Sequence, residues 1–92
     1  MRHSFDPSKR QKVLEERGLD LADAEQVFEG FHLTRRDDNH SDDEDRSITL
    51  GRLGDEIVLV VWAPRSGERR IITMWKANAK ERQKYQLREQ SG

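Results

Sequence analysis

The chain has 92 residues, of which 33% are hydrophobic and 38% charged, with a formal net charge of -1 and no cysteine. That length suits one domain with a modest core, and the missing cysteine excludes disulfides, thiol chemistry and cysteine-ligated zinc. No apolar run approaches the roughly 20 residues that cross a membrane, and no signal-type apolar stretch opens the chain, so a cytoplasmic protein with no membrane partner is expected.

His3 to Phe5 reads as a short edge strand. Asp6-Pro7 is a helix start, with Asp as the cap and Pro at the first helical position. The helix runs from Ser8 to Arg17 with Val13 and Leu14 as its main apolar contacts, and Gly18 is its left-handed stop. Asp20 caps a second helix, Leu21 to Glu29, whose buried face is Leu21, Ala24, Val27 and Phe28. Gly30 ends it, and the two helices form a hairpin. Phe31 to Arg35 is a strand with Phe31, Leu33 and Arg35 on one side.

Residues 37–45 hold six acids and no base (Asp37, Asp38, Asp42, Asp43, Glu44, Asp45). With no apolar residue, this stretch reads as a loop whose self-repulsion favours mobility. Arg46 to Leu53 alternates, Ile48 and Leu50 facing one way, Thr49 and Gly51 the other. After a Gly54-Asp55 turn, Glu56 to Ala63 is apolar on both faces, the pattern of a central strand covered on both sides. Pro64 should break it, and Ser66-Gly67 closes the next hairpin. Arg69 to Trp75 is a strand leading into a helix from Ala79 to about Leu87, with residues 89–92 frayed. Asn78 and Glu81 have capping-box spacing. The expected fold is an α+β domain, β-α-α-β-β-β-β-α, with its helices segregated to one face or end of an antiparallel sheet.

The near-neutral total conceals an asymmetry. Residues 65–88 carry eight bases (Arg65, Arg69, Arg70, Lys76, Lys80, Arg82, Lys84, Arg88) against Glu68 and Glu81. A basic C-terminal third suits a polyanion, though such charges are also ordinary solvated surface. Lys80, Lys84 and Arg88 make one helical stripe with Arg82 and Tyr85 beside it. Tyr85 is either a platform for a base or a core contact. His40 suits proton transfer near neutrality, or is a solvated loop histidine. Asp37, Asn39 and Ser41 fill the first three ligand positions of a calcium loop. However, Asp42 stands where Gly is needed and Ile48 where Glu is needed, which excludes an EF-hand. His3, His32 and His40 lack zinc spacing, and neither metal nor cofactor is expected. Trp62 reads as core, and Trp75 should share a side with Ile71 and Thr73.

The order of motifs resembles the BrnT toxins, RelE-like ribonucleases of bacterial type II toxin–antitoxin systems. The motifs are Phe5-Asp6-Pro7-x-Lys9, then Gly18-Leu19-x-Leu21-x-x-Ala24 with Val27-Phe28. Asp38-x-His40-Ser41-x-x-Glu44-x-Arg46 follows, then Leu50-Gly51-Arg52. Arg70-Ile71-Ile72-Thr73 and Ala77-Asn78-x-Lys80-Glu81-Arg82-x-x-Tyr85 complete the set. The resemblance implies a RelE-like antiparallel sheet of about four to five strands with two N-terminal helices and one C-terminal helix. It implies RNA cleavage, growth arrest, and neutralisation by a BrnA-like antitoxin through which operator DNA is reached. A toxin homodimer within a toxin–antitoxin heterotetramer is compatible with it. Arg52, Glu81, Arg82, His40 and Tyr85 are the implied catalytic positions, and Lys80, Lys76, Arg70 and Lys84 the implied phosphate contacts. Trp75 departs from the pattern, standing where the family usually has Arg, and Ala79 stands where Arg is common. The alternative is therefore a catalytically weakened binding module acting through its antitoxin.

Overall fold

A computed structural model describes residues 2–37 and 45–91. The expected loop at 37–45 falls largely outside the described residues, and His40 with it. The strands are β1 (Arg2–Phe5), β2 (His32–Arg36), β3 (Ser47–Leu53), β4 (Glu56–Arg65) and β5 (Glu68–Lys76). The helices are α1 (Pro7–Arg17), α2 (Ala24–Glu29) and α3 (Ala79–Ser91), with a 3₁₀ turn at Leu21–Asp23. The α+β reading holds. The sheet is five-stranded in the order β1-β5-β4-β3-β2, and it is mixed because β1 runs parallel to β5 while all other pairs are antiparallel.

Local signals in the sequence set most boundaries. The Ser8 amide donates to Asp6 Oδ1 at 2.9 Å, which caps α1. Gly18 ends it at φ 68°, its amide donating to the Leu14 carbonyl. The Ala22 amide donates to Asp20 Oδ1 at 2.9 Å, so Asp20 caps the 3₁₀ turn and the α-helix proper starts later than expected. Ser66 and Gly67 both take positive φ, the geometry of a tight two-residue hairpin. Pro64 does not break β4. Beyond Trp62 the strand has lost its β3 neighbour and pairs only with β5, so a missing N–H is tolerated there.

The core is double. Val13, Leu19, Leu21, Ala24 and Val27 pack with Val58, Val60, Ile71 and Met74 on one face. Tyr85 and Ala77 pack with Ile48, Leu50, Ile57, Leu59 and Val61 on the other. The helices therefore do not segregate to one face: α1 and α2 cover one side, and Tyr85 seats α3 on the opposite one. The doubly apolar β4 requires this, since either uncovered face would expose a row of aliphatic side chains. Gly51 lets α2 approach β3, because a Cβ there would sit 2.7 Å from Val27 Cγ1.

A bulge overturns one expectation. Val61 pairs with Thr73 but Trp62 pairs with Ile71, so Ile72 is skipped. One extra residue shifts the two-residue alternation, so Ile71 and Met74 pack in the first core while Ile72 and Trp75 pack against the second. Trp75 thus lies on the opposite side from Ile71.

Candidate functional site

The capping box that opens α3 forms in full. The Asn78 amide donates to Glu81 Oε1 and the Glu81 amide to Asn78 Oδ1, both at 2.8 Å. Arg82 Nη1 donates to the Ala77 carbonyl at 2.7 Å. Arg52, from β3, grips Glu89 with two donors, Nε to Oε2 at 3.0 Å and Nη2 to Oε1 at 2.9 Å. Its guanidinium also lies 5.6 Å from the Tyr85 ring centroid. The Arg52 hydrogen bonds hold the Glu89 carboxyl below the usual carboxylate range, and Glu89 raises Arg52 in turn. This pairing carries α3 on to Ser91, past the point where fraying was expected.

Tyr85 is a core residue and not a base platform. It is 1% exposed, and its hydroxyl donates to the Phe31 carbonyl at 2.8 Å, with Glu89 Oε2 at 3.2 Å. Burial first, and then the Glu89 charge, push its phenol upward.

Three clefts share out the remaining candidates. The first, about 260 Å³, is lined by Arg52, Lys76, Arg82 and Gln86 together with Asp55 and Glu56. Lys76 Nζ is 3.5 Å from Glu56 Oε2. The second, about 230 Å³, lies where α3 meets β2 and β3. Arg35, Glu81, Lys84 and Arg88 rim a floor of Leu33, Ile48, Leu50 and Leu59. Glu81 therefore lines a different cleft from Arg52 and Arg82, and Lys80 lines neither.

Arg70 lines a third cleft of about 130 Å³, with Asp6, Lys9, Arg46, Arg65 and the two isoleucines Ile71 and Ile72. Distant segments meet here through the sheet register. Arg70 on β5 pairs with Ala63, two residues before Arg65, and Ser47, next to Arg46, pairs with Trp62. Asp6 brings Lys9 in, because capping fixes the first turn of α1 beside β5. The Ser8 hydroxyl (2.7 Å) and amide hold the Asp6 carboxyl low, so it stays ionised as a cap. Among the described residues, four basic side chains and the Asp6 carboxylate thus line this cleft. Lys9, Arg46 and Arg65 were not singled out as site residues. Each stood in a recognisable motif or in the basic third, but only strand pairing shows that they converge.

Among the described residues no cluster of three or more histidine or carboxylate side chains is placed to hold a metal ion, and no helix is long and apolar enough to cross a membrane. The model of a family described as the ribonuclease toxin BrnT of type II toxin–antitoxin systems matches residues 5–81. The chain belongs to the BrnT toxin family. No curated protein matches it. The family places the chain among ribonuclease toxins that have an antitoxin partner. Every residue of the third cleft lies inside the matched stretch, whereas Arg82, Lys84 and Tyr85 lie beyond it.

Proposed function

We propose that this BrnT-family chain is a metal-independent RNA endonuclease that arrests growth and is neutralised by a BrnA-like antitoxin, and that the scissile phosphate sits in the Arg70 cleft. The ribose 2′-hydroxyl attacks the adjacent phosphorus and the P–O5′ bond breaks, the leaving 5′-oxygen taking a proton from solvent water, which gives a 2′,3′-cyclic phosphate and a free 5′-hydroxyl. Lys9, Arg46, Arg65 and Arg70 hold the non-bridging oxygens and stabilise the charge that builds on them. His40 is proposed as the proton acceptor, on its sequence chemistry alone. The observation that carries the assignment is the convergence of Lys9, Arg46, Arg65 and Arg70, from four separate segments, on one cleft.

The test is incubation of purified protein with RNA in EDTA, followed by end analysis. Cyclic-phosphate and 5′-hydroxyl ends are expected. Intact RNA that is cut only when a divalent ion is restored would rule out the metal-free route.

A second reading keeps the phosphate between Arg52 and Arg82, the pair expected to share it. It is favoured by their convergence with Lys76 on one cleft, and it requires RNA to displace Glu89 from Arg52. The weakened-module alternative rests on Trp75. Trp75→Arg should raise toxicity if a missing cation limits catalysis, and equal growth inhibition by both proteins would discard it.

A further inference from the structure

The second cleft fits neither RNA reading. Its floor is aliphatic, Leu33, Ile48, Leu50 and Leu59, and its rim is mostly cationic, Arg35, Lys84 and Arg88 against Glu81. It runs along β2, which ends the sheet: among the described residues β2 pairs with β3 and with no strand on its other side. An edge strand with an apolar trough beside it can accept a peptide, through main-chain hydrogen bonds at the edge and side chains in the trough. The cationic rim sets the sign of that peptide.

We propose that this groove is the antitoxin's seat, taken by a segment carrying apolar side chains flanked by carboxylates. The proposal rests on the toxin–antitoxin family and not on the choice of RNA seat. With the phosphate in the Arg70 cleft, its position also suggests a route to silencing the toxin. Ile48 on the groove floor is two residues from Arg46 of the Arg70 cleft, and Ile72 of that cleft packs against the same core as Ile48 and Leu50. A chain laid in the groove therefore lies on the side of the sheet next to the Arg70 cleft. A second copy of this chain, pairing β2 to β2, would bring two cationic rims together, so charge favours an acidic partner.

The probe is the cognate BrnA-like antitoxin, titrated calorimetrically against the toxin with no RNA present. Arg35→Glu with Arg88→Glu should weaken binding by about 100-fold, because like charges then face the incoming carboxylates. Arg35→Lys with Arg88→Lys should stay within about fivefold. Both positions are exposed and lie outside either RNA seat, so cleavage of free RNA should persist in both variants. Amide exchange of the wild-type chain gives a second measurement that needs no variant: β2 amides should slow on antitoxin binding. Affinity unchanged within twofold after reversal, or β2 exchange unaltered in the complex, overturns the proposal. So does a reversal that abolishes self-association, or RNA binding, while leaving the antitoxin's affinity intact. Loss of RNA cleavage by the wild type would sink the nuclease reading alone, since neither antitoxin measurement involves RNA.

Discussion

The cleft under α3 and the cleft beside β5 both gather basic residues, yet they differ in what answers those charges. Under α3, the lining of Arg52, Lys76 and Arg82 is met by Asp55 and Glu56, and Glu89 fills the Arg52 fork. Beside β5, among the described residues, four basic side chains and one carboxylate line the cleft, and that carboxylate caps a helix. Counting cations along the sequence marks the first region as the anion site. Strand register, which brings Lys9, Arg46, Arg65 and Arg70 to one cleft, marks the second. A charge stripe on a helix reports on solvent as readily as on a ligand, and only the neighbouring strands reveal which charges converge on one cleft.

The largest predicted effect separates the two regions directly. Arg70→Ala should lower kcat/KM for RNA cleavage by about 10²–10³, the usual consequence of removing one preorganised stabiliser of a developing oxyanion. Arg82→Ala should change it less than about threefold. Single-turnover cleavage of a short labelled RNA measures both. The reverse ranking would move the phosphate back under α3. Lys9→Ala should weaken RNA binding and flatten its salt dependence, as expected for the loss of one phosphate contact.

The fold was readable to an unequal degree. Caps and turns were legible because their chemistry is local: Asp6, Gly18, Asn78 and Glu81 each do what their spacing predicts. The double apolar face of Ile57 to Val61 announced a central strand. Three features were not legible. The Ile72 bulge leaves no mark in composition, yet it inverts the faces of everything after it. The parallel pairing of β1 depends on where the hairpin of helices returns the chain. Arg46, Arg65 and Lys9 are separated by up to 56 positions and meet only through strand register. Glu81 and Tyr85 were marked catalytic through the family motif, while their own spacing and chemistry also allowed a cap and a core contact, and the structure shows them making those contacts.

The next effect tests that anchor. Tyr85→Phe keeps the ring but leaves the Phe31 carbonyl without its donor, so unfolding free energy should fall by about 1–1.5 kcal/mol. The turnover number should not change. Urea unfolding together with cleavage assays would show it, and a loss of turnover at unchanged stability would return Tyr85 to the chemistry. Glu89→Gln is smaller again. It removes the charge that answers Arg52, and the freed guanidinium should tighten non-specific RNA binding by a few-fold at low salt. If RNA already displaces Glu89 during turnover, kcat/KM should rise as well, which is how this variant discriminates between the two clefts.

The smallest effect is a pH dependence from a cluster whose residues line neither cleft. Arg69 lies 3.9 Å from the Phe28 ring centroid and 5.3 Å from that of Trp62, with Nη1 3.3 Å from His3 Nε2. His3 also stacks on Phe28, so this cluster ties β1 to β5 and α2. Burial first, and then the Arg69 charge, hold the His3 imidazole below its ordinary value of about 6.5. The unfolded chain therefore binds more protons than the folded one through that window, and stability rises with pH across it. The contribution is complete above about pH 6.5 and is lost as pH falls through the lowered folded value. The carboxyls held low at Asp6, Asp20 and Glu89 also favour the ionised fold, but they lose their contribution nearer pH 4, so the histidine window can be read separately. Urea midpoints should decline from pH 7.5 to pH 5, and His3→Gln should remove that slope while leaving the steeper acid limb. A slope that survives the substitution would place its origin elsewhere and reduce the Arg69 cluster to packing alone.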